Sequence, residues 1–114
     1  METADINLFS YGTLQQKDVQ LSSFGRLLEG QEDAMVGFRT EQVEITDPAV
    51  LAKSGKRFHP IVMPSQNPAD SVAGMVFRIT ARELAAADAY EVSDYTRIET
   101  RLASGLVAWV YVKA

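Results

Sequence analysis

An acidic residue at the end of a helical pattern is the group in this chain best placed to move a proton. A helix is expected from about Ala81 to Tyr90, rich in alanine and so strongly helix-forming. Leu84, Asp88 and Glu91 fall four and seven positions apart, which puts them on one helical face beside Ala87. Leu84 and Ala87 mark that face as the buried one. A carboxylate there loses water, its pKa rises, and a raised pKa suits a general acid/base near neutral pH. The competing reading of Glu91 is an ordinary helix-end glutamate turned to solvent. Asp88 reads as a structural carboxylate held by N–H groups, in preference to a catalytic one. The turn Tyr11-Gly12-Thr13-Leu14 is a second element: glycine permits a backbone that gathers successive N–H groups into an anion-binding concavity. A plain strand-terminating turn is the alternative. Tyr95, Arg97 and Arg101 share a strand face. There tyrosine can donate to a substrate carbonyl and arginine can fork a carboxylate. For the arginines, a solvated face carrying an Arg97–Glu99 charge pair is the favoured reading. His59, beside Pro60, reads as a satisfied structural histidine, and Trp109 and Tyr111 as core.

The totals exclude other chemistries. The sequence has no cysteine, which removes disulfides, thiolate nucleophiles and cysteine-bound metals together, and a single histidine, which excludes a multi-histidine metal cage. Lysine and arginine number 11 against 15 acidic residues, a net charge of −4, with the basic residues interspersed among acids. That balance argues against a nucleic-acid partner. The start, Met-Glu-Thr-Ala-Asp, lacks the positive charge of a signal peptide, and no apolar run has the length of a membrane span. The expectation is a soluble, cytoplasmic protein with no membrane partner.

The elements that must position these groups are mostly strands. Ile6 to Tyr11 is short and apolar and stops at Gly12. Gln15 to Leu28 suits a short irregular helix and loop. Ala34 to Ile45 reads as one long strand whose apolar phase changes, from Val36 and Phe38 to Val43 and Ile45, so a bulge is expected near Thr40. Thr46 to Phe58 is polar, holds Pro48 and Gly55, and reads as a mobile surface excursion, a solvated loop in preference to a lid. His59 to Met63 is a short strand. Val72 to Ile79 alternates, with Ala73, Met75, Phe77 and Ile79 on one face. Thr80-Ala-Arg-Glu83 is a capping box that starts the helix. Tyr95 to Leu102 alternates again with Ile98 and Leu102 inward, Ser104-Gly105 turns the chain, and Leu106 to Val112 is apolar throughout, as for a strand covered on both faces. Nothing marks a boundary, so 114 residues read as a single α+β domain around a mixed sheet or small barrel.

These pieces resemble the gamma-glutamylcyclotransferase-like family. Leu8-Phe-Ser-Tyr-Gly-Thr-Leu14 is similar to its aromatic-x-Tyr-Gly-Ser/Thr-Leu signature. Leu84-Ala-Ala-Ala-Asp88-Ala-Tyr-Glu91, followed by Tyr95-x-Arg97, resembles its Leu-x-x-Leu-Asp-x-Tyr/Phe-Glu-Gly segment and the tyrosine and arginine beyond. Gly74-Met-Val-Phe77 and Ala108-Trp-Val-Tyr111 resemble two of its strands, so the likeness spans residues 6 to 112. It implies a small mixed β-barrel flanked by helices, with Tyr11, Gly12, Thr13 and Leu14 shaping a gamma-glutamyl pocket and Glu91 as acid/base. The substrate would be a small gamma-glutamyl amine or gamma-glutamyl amino acid, released as 5-oxoproline without a cofactor, with Tyr95 as an orienting donor. Two positions depart from the pattern: Val92 replaces a common glycine and Ala87 a frequent leucine. Valine disfavours left-handed backbone, so the helix is expected to end differently and to shift Glu91. Val92 also favours a second reading, a non-catalytic binding module that keeps the pocket for an amino-acid-like ligand or a protein partner.

Overall fold

Alternating apolar residues over β5 (Ser71–Ile79) give the longest strand, and it organises the main sheet. The computed structural model describes residues 3–91 and 94–114. β5 pairs antiparallel with β2 (Gly30–Val36) on one side and β1 (Ile6–Ser10) on the other. β1 runs parallel to β7 (Val107–Lys113), which pairs antiparallel with β6 (Tyr95–Arg101). The resulting five-stranded order is β2-β5-β1-β7-β6, with β3 (Phe38–Glu44) and β4 (Phe58–Pro64) forming a separate two-stranded ribbon. The fold is thus α+β with a mixed sheet. No ladder joins sheet to ribbon among the described residues, so the barrel is open and its walls meet through side chains.

Both faces of the main sheet are covered. Leu8, Phe77, Ile79 and Tyr111 pack toward the helices with Val19, Val50, Ala87 and Tyr90. Phe9, Val76, Ala108 and Val110 pack on the other side with Val62, Met35 and Leu102. Successive strand residues point to opposite faces, which is why β7 and β1 read as continuous apolar runs. β5 buries both phases for the same reason: Val76 joins one cluster and Phe77 the other.

Two expectations change. The long strand over residues 34–45 is two strands broken at Gly37, whose φ of 84° lies in the left-handed region open to glycine. Gly37 donates to Asp70 O at 2.6 Å and accepts from Ser65 N at 2.9 Å. The phase change arises because the chain leaves one sheet for the other, and no bulge at Thr40 is involved. The polar excursion holds a helix, α2 (Pro48–Ser54). Asp47 caps it by accepting from Ala49 N, Pro48 opens it, and Gly55 closes it at φ 66°. Composition hid a helix that its punctuation announces.

The other helices follow their signals. Thr13–Gln15 is a 3-10 turn and α1 (Lys17–Phe24) ends at Gly25. α3 (Ala81–Tyr90) starts from the capping box, with Thr80 Oγ1 accepting from Glu83 N and Glu83 accepting from Thr80 N. Glu83 also takes a fork from Arg26 at 2.7 and 2.8 Å, fixing the end of α1 to the start of α3. No helix among the described residues is long and apolar enough to cross a membrane.

Candidate active site

β1 delivers its C-terminal end, Tyr11 and the turn after it, to the place where α3 ends. The cavity formed there is lined by Tyr11, Gly12, Thr13, Leu14, Glu91 and Tyr95, with His59, Pro60 and Tyr111 completing the wall. It is narrow, about 20 Å³, room for one water-sized sphere.

Glu91 is the cavity's carboxylate. It caps α3 in an extended conformation, φ −72° and ψ 139°, its N–H still on Ala87 O at 3.1 Å. Val92, read from sequence as altering the helix end, lies outside the described residues. Among the described residues no group donates a hydrogen bond to the Glu91 carboxyl. Burial, and then the negative charge of Asp88, push its pKa up to about 8. Its outer side edges an open groove along Glu44 to Pro48 and Asp94, so the residue keeps partial exposure.

Asp88 is the opposite case. Burial works against its charge, but a fork from Arg97 at 2.8 and 3.0 Å and the Tyr111 hydroxyl at 2.7 Å hold it below the ordinary aspartate range. The N–H groups holding Asp88 come from this guanidinium. Arg97 thus pairs with Asp88, not with Glu99, and its guanidinium lies 4.4 Å from the Trp109 ring centroid. Two neighbouring carboxylates have their pKa values driven apart, one kept charged and one held ready to take a proton.

All four tyrosines of the chain meet around Glu91, and every hydroxyl is engaged. Tyr11 donates to Tyr111 O at 2.5 Å and accepts from Val62 N at 3.1 Å, joining β1, β7 and the ribbon. Tyr95 donates to Pro60 O at 2.7 Å. The proton expected to serve a substrate carbonyl is therefore already used, and what Tyr95 offers the cavity is oxygen lone pairs. Tyr90 and Thr13 share a buried hydrogen bond of 2.7 Å. Burial raises the pKa of each tyrosine, so all stay neutral.

The turn differs from the concavity expected of glycine. Gly12 has φ −126° and ψ −143°, outside the left-handed region. The next bonded amides are Gln15 N on Gly12 O and Gln16 N on Thr13 O. The Thr13 and Leu14 amides have no acceptor among the described residues, and both residues line the cavity. The Leu14 side chain is buried in the core. His59 is buried, its Nε2 3.1 Å from Ser54 Oγ, and burial lowers its pKa toward the neutral imidazole. The sequence alone gives no functional role to Tyr90, Pro60 or Ser54. Only Tyr90 had a local signal, its place beside Glu91.

The Tyr11 hydroxyl predicts a stability effect. Tyr11→Phe keeps the ring but strips the Val62 N–H of its acceptor and the Tyr111 carbonyl of its donor, at about 1–3 kcal/mol. Thermal unfolding should show a Tm lower by several degrees; an unchanged Tm would mean water replaces the bridge.

The profile of the family described as "Gamma-glutamyl cyclotransferase, AIG2-like" matches residues 8–114. Two solution structures of Arabidopsis thaliana proteins superpose with TM-scores of 0.72 and 0.73 at 19% and 22% identity. They cover 95% and 97% of this chain, which spans 61% and 72% of theirs. A structure named "Gamma-glutamyl cyclotransferase" gives 0.72 at 15% identity, covering 96% of this chain and 66% of its own. At such identities these structures establish the shared fold. The chain spans less than two thirds of the first and the third of them. No curated protein gives a significant sequence match.

Proposed function

The chain belongs to the AIG2-like gamma-glutamyl cyclotransferase family, and from that premise we propose that it cyclises a gamma-glutamyl amine or gamma-glutamyl amino acid to 5-oxoproline, with Glu91 as acid and base. The observation that carries this reading is a desolvated carboxyl without a hydrogen-bond donor among the described residues, in a cavity also lined by Thr13 and Leu14, two residues whose amides have no acceptor among the described residues.

The substrate's alpha-amine attacks its own gamma-carbonyl carbon. As the new C–N bond forms, the Glu91 carboxylate takes the proton the amine must lose. The tetrahedral intermediate then breaks its bond to the departing nitrogen, and protonated Glu91 returns a proton to that nitrogen. The products are 5-oxoproline and a free amine, and the carboxylate is restored. One group of intermediate pKa does both transfers. The amides of Thr13 and Leu14 suit the carbonyl oxygen as it gains charge, or the substrate's alpha-carboxylate. Tyr95's lone pairs suit an N–H of the attacking amine. Because the nucleophile is tethered to its target, holding the two in near-attack geometry supplies a further part of the rate.

The narrowness of the cavity favours one alternative, a non-catalytic module that binds an amino-acid-like ligand or a protein partner. Incubation with a panel of gamma-glutamyl amines and dipeptides, followed by measurement of 5-oxoproline, separates the readings. Product formation is expected. Saturable binding across the panel without product would overturn the cyclase reading and leave the binding module.

A further inference from the structure

We propose that Tyr90 is a positioning residue, and that its hydrogen bond to Thr13 holds the Glu91 carboxyl in the cavity against the turn that carries the free amides. This inference rests on the cyclotransferase reading for its meaning in turnover, and on geometry alone for its effect on Glu91.

α3 stops one residue before the carboxylate. Tyr90 is its last residue and Glu91 is already extended. The final turn of a helix lacks onward hydrogen bonds and frays unless something ties it. Glu91 keeps one helical bond, its N–H to Ala87 O at 3.1 Å. The Tyr90 hydroxyl supplies the tertiary tie. It meets Thr13 Oγ1 at 2.7 Å across 77 residues of sequence, with Tyr90 4% and Thr13 7% exposed. The bond therefore joins the residue before the carboxylate to the residue before the Leu14 amide. Tyr90's ring is held in the core with Leu14 and Val50, and burial keeps its hydroxyl protonated at working pH. Acid/base and anion-binding groups must be held to about 0.5 Å for efficient reaction. Among the described residues, this is the side-chain hydrogen bond that directly joins the last turn of α3 to the Thr13–Gln15 turn.

Glu91 has somewhere else to go. It edges both the narrow cavity and the groove along Glu44 to Pro48. Without the tie, the carboxyl is free to rotate into the groove and hydrate, and its titration then moves toward the ordinary glutamate value. The other groups facing it are Asp88 on α3, His59 on β4, Tyr11, Tyr95 and Tyr111 from the main sheet, and Glu44, Asp47 and Asp94 across the groove. Tyr90 also neighbours Ser54, whose Oγ lies 3.1 Å from His59 Nε2; Thr13→Val leaves that contact in place, so a titration moved in that variant reports the place of the carboxyl.

The test is a carboxyl-carbon NMR titration of Glu91 in the wild type, Tyr90→Phe, Thr13→Val and the double variant, with kcat and KM on whichever gamma-glutamyl compound the panel identifies. Each single change should lower the Glu91 midpoint by roughly one pH unit or more. It should also lower kcat about tenfold or more, with KM within about threefold. The double variant should be no worse than the more affected single one, since both remove one bond. A midpoint unmoved or raised in both single variants, with only Tm reduced, would overturn the proposal and leave the bond a packing feature. If Tyr90→Phe does not fold, Thr13→Val decides alone. If the wild type makes no product, the cyclotransferase reading fails while the titration still decides whether Tyr90 holds Glu91.

Discussion

Glu91→Gln should abolish turnover and raise stability at alkaline pH together. Glutamine keeps the side chain's size but neither takes nor returns a proton, so a loss of about 10²–10⁴ in kcat is expected from the acid/base contribution. The stability gain follows from the direction of the pKa change. Glu91's pKa rises from 4.5 to about 8 on folding. Between those values the folded protein holds a proton that the unfolded chain has released, so wild-type stability falls as pH rises through this window and levels off above it. Each pH unit between the two values is worth about 1.4 kcal/mol. Solvent on the groove side reduces the total, leaving a gain of about 2–4 kcal/mol for glutamine at pH 9 and almost none at pH 4.5. Melting both proteins across this range isolates Glu91, because every other titrating group is common to them. On the kinetic side, wild-type kcat/KM should climb with pH through an apparent pKa near 8. A profile flat down to about pH 4.5, the ordinary glutamate range, or a Tm gap that ignores pH, would remove Glu91 from the proposed chemistry.

How far a reader of the sequence can see depends on the range of the interaction being read. The capping box and the shared face of Leu84, Ala87 and Asp88 are local, because helix periodicity fixes neighbours within two turns. The turn after β1 is local too, and its residues do reach the cavity that Glu91 lines. Long-range hydrogen bonding is another matter. Nothing in the spacing says that Tyr11 spans to Tyr111 and Val62, or that Tyr95 spends its proton on Pro60. Arg97 takes Asp88 because the chain brings the β6 guanidinium back to a carboxylate of α3, a fact of topology that strand alternation cannot supply. Residues 34–45 misled for a related reason: a period of two is preserved within each strand, and a glycine can hand the chain to a second sheet where a bulge would serve equally in one. In α2 the signals were present. Asp47-Pro48 and Gly55 punctuate a helix, and polar composition outweighed them.

Gly74→Ala should be the most damaging of the small-residue changes, and it tests how the fold builds the site. A Cβ on Gly74 would stand 2.3 Å from the backbone oxygen of Ser10 and 2.8 Å from the Phe9 ring. The nearer atom is main chain, so no side-chain rotation relieves it. Either β5 and β1 separate at the Ser10–Met75 pairing, or the end of β1 shifts and takes Tyr11 with it, loosening the bonds to Val62 and Tyr111. Overpacking and lost buried hydrogen bonds together should cost about 3 kcal/mol or more, a Tm fall of at least about 10 °C. Gly12→Ala is the contrast. Its φ is −126°, and an added Cβ meets the Pro60 side chain at an ordinary 3.5 Å. That change should cost less than about 1 kcal/mol, though Gly12 sits in the more recognisable motif. Thermal melts of the two variants rank the requirements directly. If Gly74→Ala proves mild and Gly12→Ala severe, the wall of the cavity is set by the backbone of the turn itself, not by the close approach of β1 over β5.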